Sequence, residues 1–164
     1  MLLSAFTLLH VLISLIGIFS GFILAFGMIQ RSFPARWNSI FLITTILTSV
    51  TGFFFPVTHF MPSHAVGILS LLVLGLAVHA LKKRHLQGGW RKCYAITALI
   101  ALYLNTFVLV VQSFSKIPVL HALAPTQTET PFKIAQLALL LGFVWFGTVA
   151  TRRFQNPATA PGPG

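Results

Sequence analysis

Positive charge alternates along this chain: nine of its eleven Lys and Arg residues fall in every second gap between long apolar runs. Five runs, about 2–28, 38–57, 65–81, 93–114 and 132–150, are long enough or nearly so to cross about 30 Å of hydrocarbon as helix. Arg31 and Arg36 follow the first run. Lys82, Lys83, Arg84, Arg91 and Lys92 follow the third, and Arg152 and Arg153 follow the fifth. The opposite loops hold only Lys116 and Lys133, so the positive-inside rule places the N-terminus outside and the C-terminus in the cytoplasm. With a single acid, Glu129, and 56% hydrophobic residues, a soluble fold would lack the charge to clothe its surface. The expected fold is all-α: an integral membrane bundle of five transmembrane helices forming one domain over 1–154.

The net charge of +10 does not indicate nucleic acid. The cations flank helices instead of forming a stripe interleaved with aromatics, which suits topology and attraction to anionic lipids of the bilayer. Trp37, Trp90 and Tyr94 fit a cytoplasmic interfacial belt. The first run lacks a basic leader and is too long for the core of a signal peptide, so it reads as a span. Cys93 stands alone and reads as a small apolar residue. Residues 155–164, rich in Pro, Gly and Ala, read as a disordered cytoplasmic tail.

Helical phase predicts which faces meet. His10, Ser14, Gly17 and Gly21 share one face of the first helix, where Gly17 and Gly21 permit close backbone approach. Thr44, Thr48 and Thr51 align on the second helix, and Thr97, Ala98, Ala101, Asn105 and Gln112 on the fourth. An unpaired amide at Asn105, near mid-membrane, would cost several kcal/mol, so it must bond another helix or internal water.

The six histidines bring the most specific chemistry. His59, His64 and His121, with Glu129, lie towards the outer side, and His10 lies about 13 Å in from the outer end of its helix. A polar pocket of the first, second and fourth helices is expected there, capped by the loop Ser115–Pro131. That loop should be ordered, docking through Ile117, Val119, Leu120 and Leu123, with Glu129 paired to Lys116, Lys133 or a protonated histidine. One b-type haem between His10 and His64 would use two imidazoles at mismatched depths. A quinone would use His10, Asn105 or Gln112 as hydrogen-bond partners. A metal site would use His59, His64, His121 and Glu129 without a specific ligand spacing. No intramembrane carboxylate is present to carry a transported cation.

The strings Thr48–Pro56, Ala101–Asn105 and Leu123–Gln127 resemble an uncharacterised family of small bacterial inner-membrane proteins, over Leu9 to Phe154. The resemblance implies a multi-pass protein of the bacterial inner membrane and carries no catalytic residues. The reading that follows is a non-catalytic or accessory membrane component with an outward-facing polar pocket, in contact with lipid and with a membrane protein partner or a second copy. The alternatives are a redox subunit with haem b or quinone, and a metal-binding or transport protein.

Overall fold

The computed structural model describes residues 2–56 and 62–155, which form helices and short connections with no strand among them. The helices are α1 (Leu2–Ile29), α2 (Ala35–Gly52), α3 (Pro62–Lys82), α4 (Gly89–Lys116), α5 (Pro118–Leu123) and α6 (Thr130–Gln155). Four of them, α1, α3, α4 and α6, are long and apolar enough to cross a membrane. His59 and the tail residues 156–164 lie outside the described residues.

The long helices run up and down in turn. Along α1 and α2 the meeting pairs are Gly27 with Pro34, Gly21 with Phe41, Gly17 with Thr44 and His10 with Thr51. One number falls as the other rises, so the two helices form an antiparallel hairpin. The pairs Phe114 with Phe132, Tyr103 with Phe143 and Arg91 with Phe154 do the same for α4 and α6. This alternation gathers the nine cations of the α1–α2 turn, the α3–α4 turn and the end of α6 at one end of the bundle.

Close packing between α1 and its neighbours depends on absent side chains. A Cβ on Gly21 would stand 2.6 Å from Leu102 Cδ1 and 2.8 Å from the Phe41 ring, and one on Gly17 would stand 3.1 Å from Thr44 Oγ1 and 3.3 Å from Asn105 Nδ2. Helices in lipid gain association energy from such contacts, since no water is released between them. Around this seam Leu24, Met28, Phe41, Ala98, Ala101 and Leu102 form a buried core in which α4 is central.

Helix starts extend beyond the expected spans because proline opens them. Pro62 and Pro118 begin α3 and α5, and Pro131 sits in the first turn of α6. A proline there lacks an N–H that would in any case have no partner in the helix. α2 stops at Gly52, five residues before the expected end at 57, and the chain turns through Phe53–Phe55. α2 is the one long helix among the described residues that falls short of the apolar character of a membrane span. Four of its hydroxyls bond back to its own backbone: Ser39 donates to Ala35 O, Thr44 to Ile40 O, Ser49 to Thr45 O and Thr51 to Leu47 O.

Three expectations need correction. Tyr94 is not in an interfacial belt: it is fully buried, and its hydroxyl donates to Asn38 Oδ1. The segment Ser115–Pro131 is ordered around α5, yet it does not dock through the expected apolar face. Val119 is 73% and Leu123 53% exposed, whereas Ala124 is buried. The chain leaves α4 through the extended backbone of Ile117, and no residue of the six-residue α5 is buried. Glu129 bonds neither a lysine nor a histidine. It accepts from the Thr126 hydroxyl at 2.8 Å and from the Thr126 and Thr128 amides at 3.2 and 3.0 Å.

Candidate functional site

Polar side chains inside the bundle occur in separate contacts at three depths. In the half of the bundle away from the clustered cations, His10 Nδ1 lies 2.8 Å from Thr51 Oγ1, and Thr51 also places its hydroxyl 2.7 Å from Leu47 O. A hydroxyl has one proton to give. With that proton directed to Leu47 O, His10 Nδ1–H is the donor to Thr51 and Nε2 keeps a lone pair. The imidazole meets Phe55 edge-on at 5.1 Å, and Phe55 in turn meets Phe6 at 5.0 Å.

One turn deeper, the Ser14 hydroxyl donates to Asn105 Oδ1 at 2.9 Å, and Asn105 Nδ2 lies 3.5 Å from Ser14 O. Asn105 therefore fastens α4 to α1, as its depth requires. Beside it the buried hydroxyls of Thr45 and Thr48 have no hydrogen-bond partner among the described residues. Ser49 and Ser70 join α2 to α3 through a 3.1 Å bond.

At the basic end a second group fastens the helix termini. Asn38 of α2 accepts from Tyr94 of α4, and Phe33 packs against both Tyr94 and Phe154 at ring distances of 5.8 and 6.0 Å. Arg91 Nε donates to Phe154 O at 2.6 Å with its guanidinium 4.1 Å from the Phe154 ring centre. Arg84 lies over Trp90 at 4.9 Å. Nothing in the sequence pairs Asn38 with Tyr94, because they are 56 residues apart.

The expected site residues are distributed unevenly over this framework. His64 stacks on Phe53 at 5.6 Å, while Phe55 packs on His10, so aromatic rings cover both imidazoles of the expected haem pair. Asn105 belongs to the Ser14 contact. Gln112 shares the helical phase of Asn105 but is exposed. It lies about 10 Å beyond Asn105, whereas His10, level with the end of α2, lies only about 6 Å beyond Ser14. His121 is exposed on α5, and Glu129 is held by its own loop. Desolvation pushes the Glu129 carboxyl up, but the bonds from Thr126 and Thr128 outweigh it and hold the group below its ordinary value. No three His, Cys, Asp or Glu residues gather as for a metal ion among the described residues.

A groove of about 460 Å³ lies between α4 and α6, away from these residues and towards the basic end. Lys92 and Arg152 stand at that end of it, and Tyr103, Leu140 and Phe143 at the other. Comparison with protein-family models, curated proteins and solved structures finds no match for this chain.

Proposed function

We propose that this chain is a five-span protein of the bacterial inner membrane that acts as a non-catalytic, accessory component. The observation that carries the reading is a set of four polar contacts between helices. His10 with Thr51, Ser14 with Asn105, Tyr94 with Asn38 and Arg91 with Phe154 each join two helices. Groups used this way hold a bundle together, and they do not converge on one point where a substrate would react.

Support for α2 as the fifth span comes from its packing. Its 18 residues give about 27 Å of helix, close to the hydrocarbon thickness of about 30 Å. It runs antiparallel to α1 from Pro34 to Thr51, and its back-bonded hydroxyls offer lipid few unpaired protons. Orientation rests on the nine clustered cations, which put the basic end in the cytoplasm. Cysteines at Ser63 and Gln87, in a Cys93→Ser background, should react with an impermeant maleimide from outside and inside respectively. Same-sided labelling would refute five spans.

A second reading, a redox subunit holding one b-type haem or a quinone, is favoured by the Nε2 lone pair of His10. Protein purified from cells supplied with haem separates the two. The accessory reading expects a colourless, quinone-free preparation that unfolds cooperatively. A stoichiometric Soret band, or a co-purifying quinone, that disappears in His10→Ala would replace it with the redox reading.

A further inference from the structure

The groove between α4 and α6 has a form that the interior contacts do not explain. Its walls follow one face of each helix, through Lys92, Ile96 and Tyr103 on α4 and through Leu140, Val144 and Arg152 on α6. Gly147 lines it midway along α6, where a Cβ would stand 3.9 Å from Leu99 Cδ1, its nearest neighbour, so the wall has room for a larger side chain to enter the groove. From Arg152 to Leu140 the trough covers thirteen residues of α6, twelve steps of helix or about 18 Å. That length is close to one leaflet, about 15 Å or half the hydrocarbon core. The volume of about 460 Å³ lies within the range of small-molecule sites, about 300–1,000 Å³.

Charge is confined to one end of this trough. Lys92 and Arg152 are both exposed, and neither has a hydrogen-bond or ionic partner among the described residues. The chain's one acid, Glu129, belongs to the opposite end of the bundle. Both cations adjoin the contact that locks α4 to α6: Lys92 follows Arg91, and Arg152 precedes Phe154 by two residues. The Arg91–Phe154 bond thereby fixes the backbones that carry the two charges, so the mouth of the trough is formed before anything enters it.

We propose that this groove is a binding site for one anionic phospholipid, its phosphate held by Lys92 and Arg152 and one acyl chain lying along the trough towards Leu140 and Tyr103. A cation pair at the headgroup level over an apolar channel of leaflet length matches an amphiphile with a negative head. A neutral lipid would fill the trough and leave both charges unanswered. The leaflet assignment rests on the proposed topology, but binding in detergent depends only on the groove, so maleimide labelling and lipid retention fail independently.

The test is native mass spectrometry of the full chain in detergent with equimolar phosphatidylglycerol and phosphatidylcholine of the same acyl composition. A cation near an anionic lipid surface contributes about 1 kcal/mol, roughly a factor of five, so Lys92→Gln/Arg152→Gln should weaken phosphatidylglycerol retention by about 10–30-fold. Lys83→Gln/Arg153→Gln removes the same charge from the same end outside the groove and should retain the lipid. Gly147→Leu, which fills the trough, should lose it with Lys92 and Arg152 intact. All substitutions except Gly147→Leu are at exposed positions, and melting followed by circular dichroism confirms that each variant is folded. Equal retention of both lipids, equal loss in the two charge-removing pairs, or undiminished retention in folded Gly147→Leu would each overturn the proposal.

Discussion

Replacing Gly21 by alanine tests whether the α1 seam is a close helix contact or a surface that faces lipid. The added Cβ would lie 2.6 Å from Leu102 Cδ1 and 2.8 and 2.9 Å from two Phe41 ring atoms. Leu102 and Phe41 are themselves buried, so neither can yield without disturbing its own neighbours. Overpacking of this kind costs about 1–3 kcal/mol. Alanine also gains about 0.8–1.0 kcal/mol over glycine in helix propensity, which leaves Gly21→Ala net destabilising by about 0–2 kcal/mol. Gly142, on α6, makes the matched control: nothing lies within 4 Å of its added Cβ. Gly142→Ala keeps the propensity gain without the clash, so the two variants should differ by about 1–3 kcal/mol. Unfolding of both by dodecyl sulfate titrated into mild-detergent micelles, followed by far-ultraviolet circular dichroism, measures that difference. Phe22 would be a poor control, because its ring packs on Phe143 at 5.8 Å. If Gly21→Ala proves as stable as Gly142→Ala, the seam does not pack as described.

Tyr94→Phe should destabilise by about 1–3 kcal/mol, the cost of leaving buried Asn38 Oδ1 without its donor, and adding Asn38→Leu should recover part of the loss in the same titration. Ser14→Ala should cost about 0.6–2 kcal/mol for an interhelical bond within lipid; no change would mean that Asn105 finds another partner. Glu129 makes a pH prediction for the loop between α5 and α6. Its carboxyl is held below the ordinary value, so its ordering effect is complete above the unfolded pKa and is lost as pH falls through the lower, folded one. The Thr126 and Thr128 amide resonances should titrate together with a midpoint below that of glutamate in an unfolded peptide, and should not titrate in that range in Glu129→Gln. A midpoint at or above the peptide value would contradict the bonding seen here.

Contacts that depend on helical phase were legible in the sequence, and those that depend on where a helix ends were not. Gly17, Gly21 and Asn105 follow from a 3.6-residue period applied to small and polar residues, because a transmembrane helix with an amide at mid-depth has few ways to satisfy it. Gln112 obeys the same period and is exposed all the same, since phase fixes a direction and says nothing about what stands opposite at each depth. The end of α2 at Gly52 was hidden too, because the apolar Phe53–Phe55 that follow give no sign of a turn. The same blindness affected α5, whose Val119 and Leu123 are apolar enough to suggest docking and yet stand exposed.

Tyr94 and Lys92 show a further limit, in which one residue type supports two physical roles at the same depth. A tyrosine near a basic helix end satisfies interfacial anchoring, yet here the neighbouring Asn38 supplies an internal acceptor, and burial against Phe33 and Phe154 follows. A lysine in the α3–α4 turn satisfies the positive-inside rule wherever it points, so its topogenic role hides any second one. What distinguishes Lys92 from Lys83 is the groove beneath it, and a groove is a relation between two helices that neither one's sequence encodes. The α4–α6 trough requires Gly147 on one wall, Ile96 and Tyr103 on the other, and the Arg91–Phe154 bond to set their register. Charge pattern therefore orients a membrane protein before its fold is known, but which of its cations also hold a ligand emerges only once helix packing shows what lies below each.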